Sequence, residues 1–178
     1  MDDAPINSRL IVTIIIMSNP RVLLSTNHGD ITLELYPDAA PKAVENFIGL
    51  TEKWYYDGII FHRVIRDFMI QWGDPTGTGS GGKSIWMRAF EDEFSDTSLT
   101  HKKWTLSMAN AGHNTNGSQF FIVTAEDASF LDRKHTIFGH VVEGIEIVEQ
   151  IERLPTDRND RPQMEVKIEK AIVLKIEK

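Results

Sequence analysis

The chain has 178 residues, 41% apolar and 25% charged, with a formal net charge of −7. That length suits one domain with a substantial buried core, and the acidic balance argues against nucleic acid or an anionic membrane as the main partner. The absence of cysteine excludes a disulfide framework, thiolate chemistry and a cysteine-ligated metal, and it fits a reducing compartment. Leu10 to Ile16 is an apolar run behind the acidic Asp2 and Asp3. A signal peptide wants a basic start and small residues at a cleavage site, and a membrane helix wants about 20 apolar residues; the run satisfies neither. Met17-Ser18-Asn19-Pro20 reads as a second start. Residues 1–19 are therefore expected to be an extension and 20–178 the domain, with an extra edge strand as the competing reading of the apolar run.

Arg21 to Ser25 and Asp30 to Leu35 alternate with period two around the turn Asn27-His28-Gly29-Asp30 and read as a hairpin. Pro41 suits the first turn of a helix, with Val44, Phe47, Ile48 and Thr51 at helical spacing. Short strands are expected at Ile59–Val64, Met69–Gly73, Thr105–Ala109, Gln119–Val123, Thr136–Val142 and Val166–Leu174. Between the last two, Ile145, Val148, Ile151 and Leu154 alternate with Glu146, Glu149 and Glu152, the pattern of an amphipathic helix packed on a core. Many short strands with only two helices favour a mainly β fold, a closed antiparallel barrel with helices over its ends.

Gly77-Thr78-Gly79-Ser80-Gly81-Gly82-Lys83-Ser84 matches the phosphate-cradling loop G-x-x-x-x-G-K-[ST]. Its mechanism needs a buried parallel strand before it and a helix N-terminus after it. Gly73-Asp74-Pro75-Thr76 turns the chain instead, and Ser84-Ile85-Trp86-Met87 is a poor helix start, so the string reads as a glycine-rich surface loop. The six histidines show no metal-ligand spacing; His135 and His140, five apart in an expected strand, point to opposite faces. No Gly-x-Ser-x-Gly elbow supports a serine triad. Asn116-Gly117-Ser118 fits a glycosylation pattern, but no secretory signal accompanies it.

Two segments carry the functional argument. Phe61 to Gln71 (FHRVIRDFMIQ) sets Arg63 among apolar residues. Such an arginine either snorkels to solvent or reaches into an apolar cleft to hydrogen-bond something there. Ser107 to Phe121 (SMANAGHNTNGSQFF) packs small and amide residues into a long turn. It is either a structural loop or a surface whose exposed N–H and C=O groups would pair with a bound peptide.

Together with Gly77–Ser84, Phe90–Phe94 (FEDEF) and Leu131–Val141 (LDRKHTIFGHV), these strings resemble the cyclophilin family of peptidyl-prolyl cis/trans isomerases, over residues 20 to 177. The resemblance implies an eight-stranded antiparallel barrel closed by two helices, with a shallow cleft on its outer face. It implies that Arg63 is the catalytic arginine, that Gln71 positions it, and that His135 completes the pocket wall. Phe68, Met69, Phe121 and Leu131 would floor the proline pocket. The Asn110 backbone would pair with the peptide, Ala109 and Ala111 would line the groove, and Gln119 would continue it. A secondary pocket would involve Thr115 and Ser118, gated by Ser80 and Arg88. No cofactor and no metal are implied. Partners would be proline-containing peptides and proteins, with neither nucleic acid nor membrane, met by a monomer in the cytoplasm, the nucleus or both. Where many members carry Trp before the Leu-Asp pair, this chain has Phe130, which lacks an indole N–H; weaker cyclosporin binding is expected. The segments Lys53–Ile59 and Asp160-Arg161-Pro162 look like those of small splicing-associated members. That suggests an alternative role as a proline-peptide module docked on a larger assembly such as the spliceosome, with incidental turnover.

Overall fold

Strand β1 (Arg21–Thr26) turns back into β2 (Gly29–Leu35), and Thr26 closes the turn by donating its hydroxyl to the Gly29 carbonyl at 2.6 Å. Alternation dictates the faces: Val22, Leu24, Ile31, Leu33 and Leu35 are fully buried. The computed structural model describes residues 19–174. The expected N-terminal extension thus falls almost wholly outside the described residues.

Helix α1 (Pro41–Glu52) opens with proline, whose missing N–H is harmless in a first turn. Its Ala40 cap position offers no side-chain oxygen, and the Glu93 carboxylate accepts the Lys42 and Ala43 N–H groups instead, at 3.0 and 2.9 Å. The helix drives Phe47 into an aromatic core, edge-on to Phe120 and Phe138. Five further strands follow: β3 (Arg63–Ile65), β4 (Met69–Trp72), β5 (Thr105–Met108), β6 (Phe120–Val123) and β7 (Ile137–Glu143). Helix α2 (Ile145–Glu152) and β8 (Ile168–Leu174) end the described chain. At the entrance to α2, Gly144 adopts φ +83°, and a Cβ there would meet the Asp30 carbonyl oxygen. Of the α2 glutamates, Glu152 is buried and accepts the Asp67 N–H at 3.1 Å.

The sheet is antiparallel throughout, in the order β3-β4-β6-β5-β7-β2-β1-β8. The expected closed barrel is corrected: the sheet is an open, strongly curled half-barrel whose end strands β3 and β8 share no ladder. The reason lies in the expected strand Ile59–Val64, which is mostly not one. Only Arg63–Ile65 joins a ladder, and the Val64 N–H goes to the loop residue Asp160 at 2.7 Å rather than to β8. The seam is crossed upstream by an Ile60–Lys167 bridge, with the Phe61 N–H on the Val166 carbonyl at 2.8 Å.

Because β4 and β6 alternate, they bury both faces. Ile70, Trp72, Phe120 and Ile122 point into the main core inside the curl. Met69, Phe121 and Val123 point outward and form a second apolar cluster with Ala128, against which Ile65, Phe68, Ala109 and Leu131 pack. That outer cluster is the foundation of the site.

Candidate active site

Arg63 opens β3 directly across from Gln71 on β4, and Gln71 in turn faces Phe121 on β6. The three share the outer face. Arg63 is exposed, so the guanidinium stands at the edge of the apolar cluster rather than inside it. Its Nη1 lies 3.5 Å from Gln71 Oε1. The Gln71 amide is oriented by a relay. Gln119 Nε2 donates to the Gly79 and Gly81 carbonyls at 3.0 and 2.9 Å, which turns Gln119 Oε1 toward Gln71 Nε2 at 3.0 Å. Gln71 must then present its own Oε1 to Arg63.

The glycine loop is itself anchored from within. Asp74, fully buried, accepts the Thr76 N–H and hydroxyl on Oδ1, each at 2.8 Å. Oδ2 accepts N–H groups from Gly79 at 2.7 Å, Gly81 at 3.0 Å and Thr78 at 3.2 Å. Burial pushes this carboxyl up, but the bonds from Thr76, Gly81 and Gly79 outweigh it and hold the pKa at about 2. The phosphate-loop string thus already encloses an anion, its own Asp74. The Thr78, Gly79 and Gly81 N–H groups are therefore already committed to that carboxylate rather than to a nucleotide phosphate.

On the far wall, His135 precedes β7 rather than lying in a strand as expected, and Nδ1 sits 2.9 Å from the Met108 carbonyl. A carbonyl can only accept, so Nδ1 carries the proton and Nε2 keeps its lone pair. Burial depresses the His135 pKa, outweighing the Met108 bond and Asp92, which raise it. The ring meets Phe121 edge-on at 5.4 Å. His140, by contrast, stacks on Tyr36.

Of the other expected site residues, Phe68, Met69, Phe121 and Leu131 lie together in the outer cluster, with Ala109 against them. Phe130 is 59% exposed and leans on Phe68 with ring centroids 5.7 Å apart. The Asn110 side chain is tied to the Lys134 carbonyl at 2.8 Å, so any pairing with a peptide falls to its backbone. A neighbouring cleft of about 430 Å³ is lined by Gln71, Ser80, Asn110, Ala111, Thr115 and Gln119 among others. Ser118 lines the same cleft, with its hydroxyl turned inward to donate to the Gly73 carbonyl at 2.7 Å. Arg88 does not line the cleft; it belongs to a separate hollow with Lys42, Glu45 and Trp86, because the Ser84 hydroxyl ties down the Arg88 carbonyl at 2.5 Å and folds the segment toward α1. The glycosylation pattern is answered as well: Asn116 is fully buried, with Nδ2 on the Phe90 carbonyl and Asp92.

A buried relay that spacing did not reveal lies behind Phe121. His101 Nδ1 is 2.7 Å from Asp132 Oδ1 and Nε2 is 2.9 Å from Ser107 Oγ. Burial lowers the His101 pKa, outweighing the Asp132 hydrogen bond and charge that raise it. Nδ1–H donates to the Asp132 carboxylate, and Ser107 Oγ bridges Nε2 at 2.9 Å and the Thr136 carbonyl at 3.0 Å. The geometry is that of a serine triad, but His101 and Ser107 are fully buried, so no substrate carbonyl reaches the hydroxyl. Among the described residues no cluster of three or more His, Cys, Asp or Glu could hold a metal ion.

An arginine oriented by an amide relay thus stands beside an outward-facing apolar cluster and an adjoining cleft. Residues 21–173 match the family model for cyclophilin type peptidyl-prolyl cis-trans isomerase/CLD, and the chain belongs to that family. It is 56% identical over 147 residues to a peptidyl-prolyl cis-trans isomerase of Arabidopsis thaliana, covering 83% of this chain and 23% of that protein. It is 53% identical to the peptidyl-prolyl cis-trans isomerase-like 1 protein of Neurospora crassa, covering 88% of this chain and 95% of that one. Against several curated relatives, the chain spans only about a quarter of their length. The crystal structure of a cyclophilin type isomerase from Cryptosporidium parvum superposes with a TM-score of 0.85 at 39% identity, covering 89% of this chain and 99% of that one. The same protein has also been crystallised in the presence of the dipeptide Ala-Pro; that structure gives a TM-score of 0.83 at 40% identity.

Proposed function

We propose that this chain is a peptidyl-prolyl cis/trans isomerase acting on X–Pro bonds in peptides and proteins. The observation that carries the proposal is the guanidinium of Arg63, aligned by Gln71 at the edge of the Met69–Phe121–Leu131 apolar cluster. Rotation about the X–Pro bond must break amide resonance across a barrier of roughly 18–20 kcal/mol. As the bond twists, the proline nitrogen pyramidalises and regains a lone pair. Arg63 donates to that lone pair, a bond available only in the transition state and therefore one that lowers the barrier. The hollow holds the ring and excludes water from the rotating bond, while the rim at Asn110 pairs with the peptide backbone. His135, neutral with a free Nε2, lines the wall without adding a competing positive charge. No nucleophile and no redox group takes part in this scheme. The isomerase names of the relatives, and the dipeptide present with the Cryptosporidium protein, support the same substrate class.

The cleft beside Gln119 would accept the residues that precede proline. Phe130, tilted against Phe68, offers cyclosporin a ring face but no donor, and we propose a weakened affinity on that ground. The cysteine-free sequence fits a reducing compartment such as the cytoplasm or nucleus. A docking role with incidental turnover draws no support from the site, where the arginine, the relay and the hollow are all in place.

The test is NMR exchange spectroscopy on a short Ala-Pro peptide with wild type and Arg63→Ala. A charge-assisted bond of about 1.5–3 kcal/mol corresponds to roughly one to two decades in rate, so turnover should fall at least about tenfold while the fold persists. An unchanged rate in the variant would sink the mechanism. Peptide binding by wild type without accelerated exchange would leave a binding module.

A further inference from the structure

Resting on the isomerase reading, we infer that His101, held by Asp132, is a positioning residue for the proline pocket. The observation is one buried imidazole set against both Phe121 and His135. His101 stacks on Phe121, with planes 15° apart and centroids 6.1 Å apart, and meets His135 nearly at right angles at 6.4 Å. Phe121 is the floor and His135 the wall. Asp132 directly follows Leu131, which packs against the same cluster.

Four bonds fix the imidazole segment in place. Asp132 Oδ1 accepts both the His101 backbone N–H at 2.8 Å and Nδ1–H at 2.7 Å, which locks the ring against rotation about its side-chain bonds. Nε2 engages Ser107, whose strand β5 pairs with β6 at Phe121. The His101 carbonyl receives the Ala128 N–H at 2.9 Å, tying the ring's own backbone to the segment that leads into Ser129–Leu131. A rotation of the imidazole would therefore displace the floor, the wall and the Leu131 segment at once. A protein that needed only to fill this space could do so with an apolar ring; an imidazole bound at both nitrogens fixes an orientation as well as a volume.

The positioning reading makes a prediction that simple packing does not. The proline ring occupies the hollow in both ground and transition states, so misplacing the floor weakens binding more than it slows rotation. In Asp132→Ala the ring loses its lock, and kcat/KM on the Ala-Pro peptide should fall about fivefold to a hundredfold, with the loss in KM rather than in kcat. Asp132→Asn keeps an oxygen for both N–H groups and should recover most of it. All measurements are made on folded protein well below the melting temperature, with the peptide dissociation constant determined in parallel by titration. Unchanged KM and dissociation constant in Asp132→Ala, or no recovery in Asp132→Asn, overturns the inference.

A second measurement needs no variant. In wild type the His101 ring should show a proton on Nδ1, and its resonances should shift when saturating Ala-Pro peptide fills the pocket. Unmoved resonances overturn the inference even if both variants fail to fold. Should wild type bind the peptide without accelerating exchange, the isomerase reading fails by itself, and the dissociation constants and His101 resonances still decide whether the pocket is positioned from behind.

Discussion

Replacing Asp74 by asparagine keeps the side chain's shape and removes its charge. The five bonds given above from Thr76, Thr78, Gly79 and Gly81 go to a group that only accepts. An amide has one accepting end. Its better placement keeps oxygen toward Thr78, Gly79 and Gly81 and sets –NH₂ against the Thr76 N–H, leaving that donor unpaired at a cost of about 1–3 kcal/mol. The surviving bonds lose their charge assistance as well. The carboxyl titration gives an independent scale: a pKa of about 2 against 3.8 corresponds to about 2 kcal/mol favouring the ionised form. A loss of about 2–4 kcal/mol is expected, and at about 2–4 °C per kcal/mol for a chain of this size the melting temperature should drop by roughly 4–16 °C. Calorimetry on both proteins across a pH series checks this. The native pKa is depressed, so the wild-type advantage is complete above pH 3.8 and is lost as pH falls through about 2; the gap between the two proteins should close over that interval. Since the Gly79 and Gly81 carbonyls orient Gln119, kcat/KM should fall in the variant too. A melting temperature unchanged at neutral pH, or a gap that does not narrow in acid, refutes the account.

Two further outcomes test the walls of the hollow. Burial outweighs the influences that raise the His135 pKa, so kcat/KM should stay flat down to and below the ordinary imidazole value of 6.5 and fall only as the ring at last gains its proton; an inflection above 6.5 in a pH–rate profile would contradict the neutral wall. Phe130→Trp restores an indole donor at an exposed position; isothermal titration should show tighter cyclosporin binding by roughly 1 kcal/mol, the worth of one hydrogen bond, with kcat/KM on Ala-Pro peptides little changed, and equal affinity in the two proteins would show that the missing N–H is not what limits binding.

The hairpin and both helices were legible because each is a local pattern: alternation around Gly29, and helical spacing behind Pro41 and Gly144. Strand β3 was not, since Phe61 and Ile59 are as apolar as ladder residues would be. Their bonds go to Val166 and Ile168, around the start of β8, as isolated contacts, and the ladder stops because Val64 takes Asp160, almost a hundred residues away in sequence, as its partner. The closed barrel followed from that overestimate. In the site, Arg63 alone left two readings open, and the resemblance chose between them. The glycine loop was recognisable as a decoy from its flanks, but its occupant was not, because nothing in Asp74-Pro75 says that the loop folds back over the carboxylate. His101, Ser107 and Asp132 carried no usable spacing. Only the β5–β6 pairing and the turn into Asp132 bring them together.

The hollow sits on the convex side of the curled sheet, built on side chains that point away from the main core. A substrate therefore does not have to thread into the protein. A proline at the tip of a loop can be presented while the remainder of its own molecule stays folded and outside, and what limits access is how far that loop protrudes. Such a surface suits late adjustments to nearly finished proteins as readily as it suits an unfolded chain.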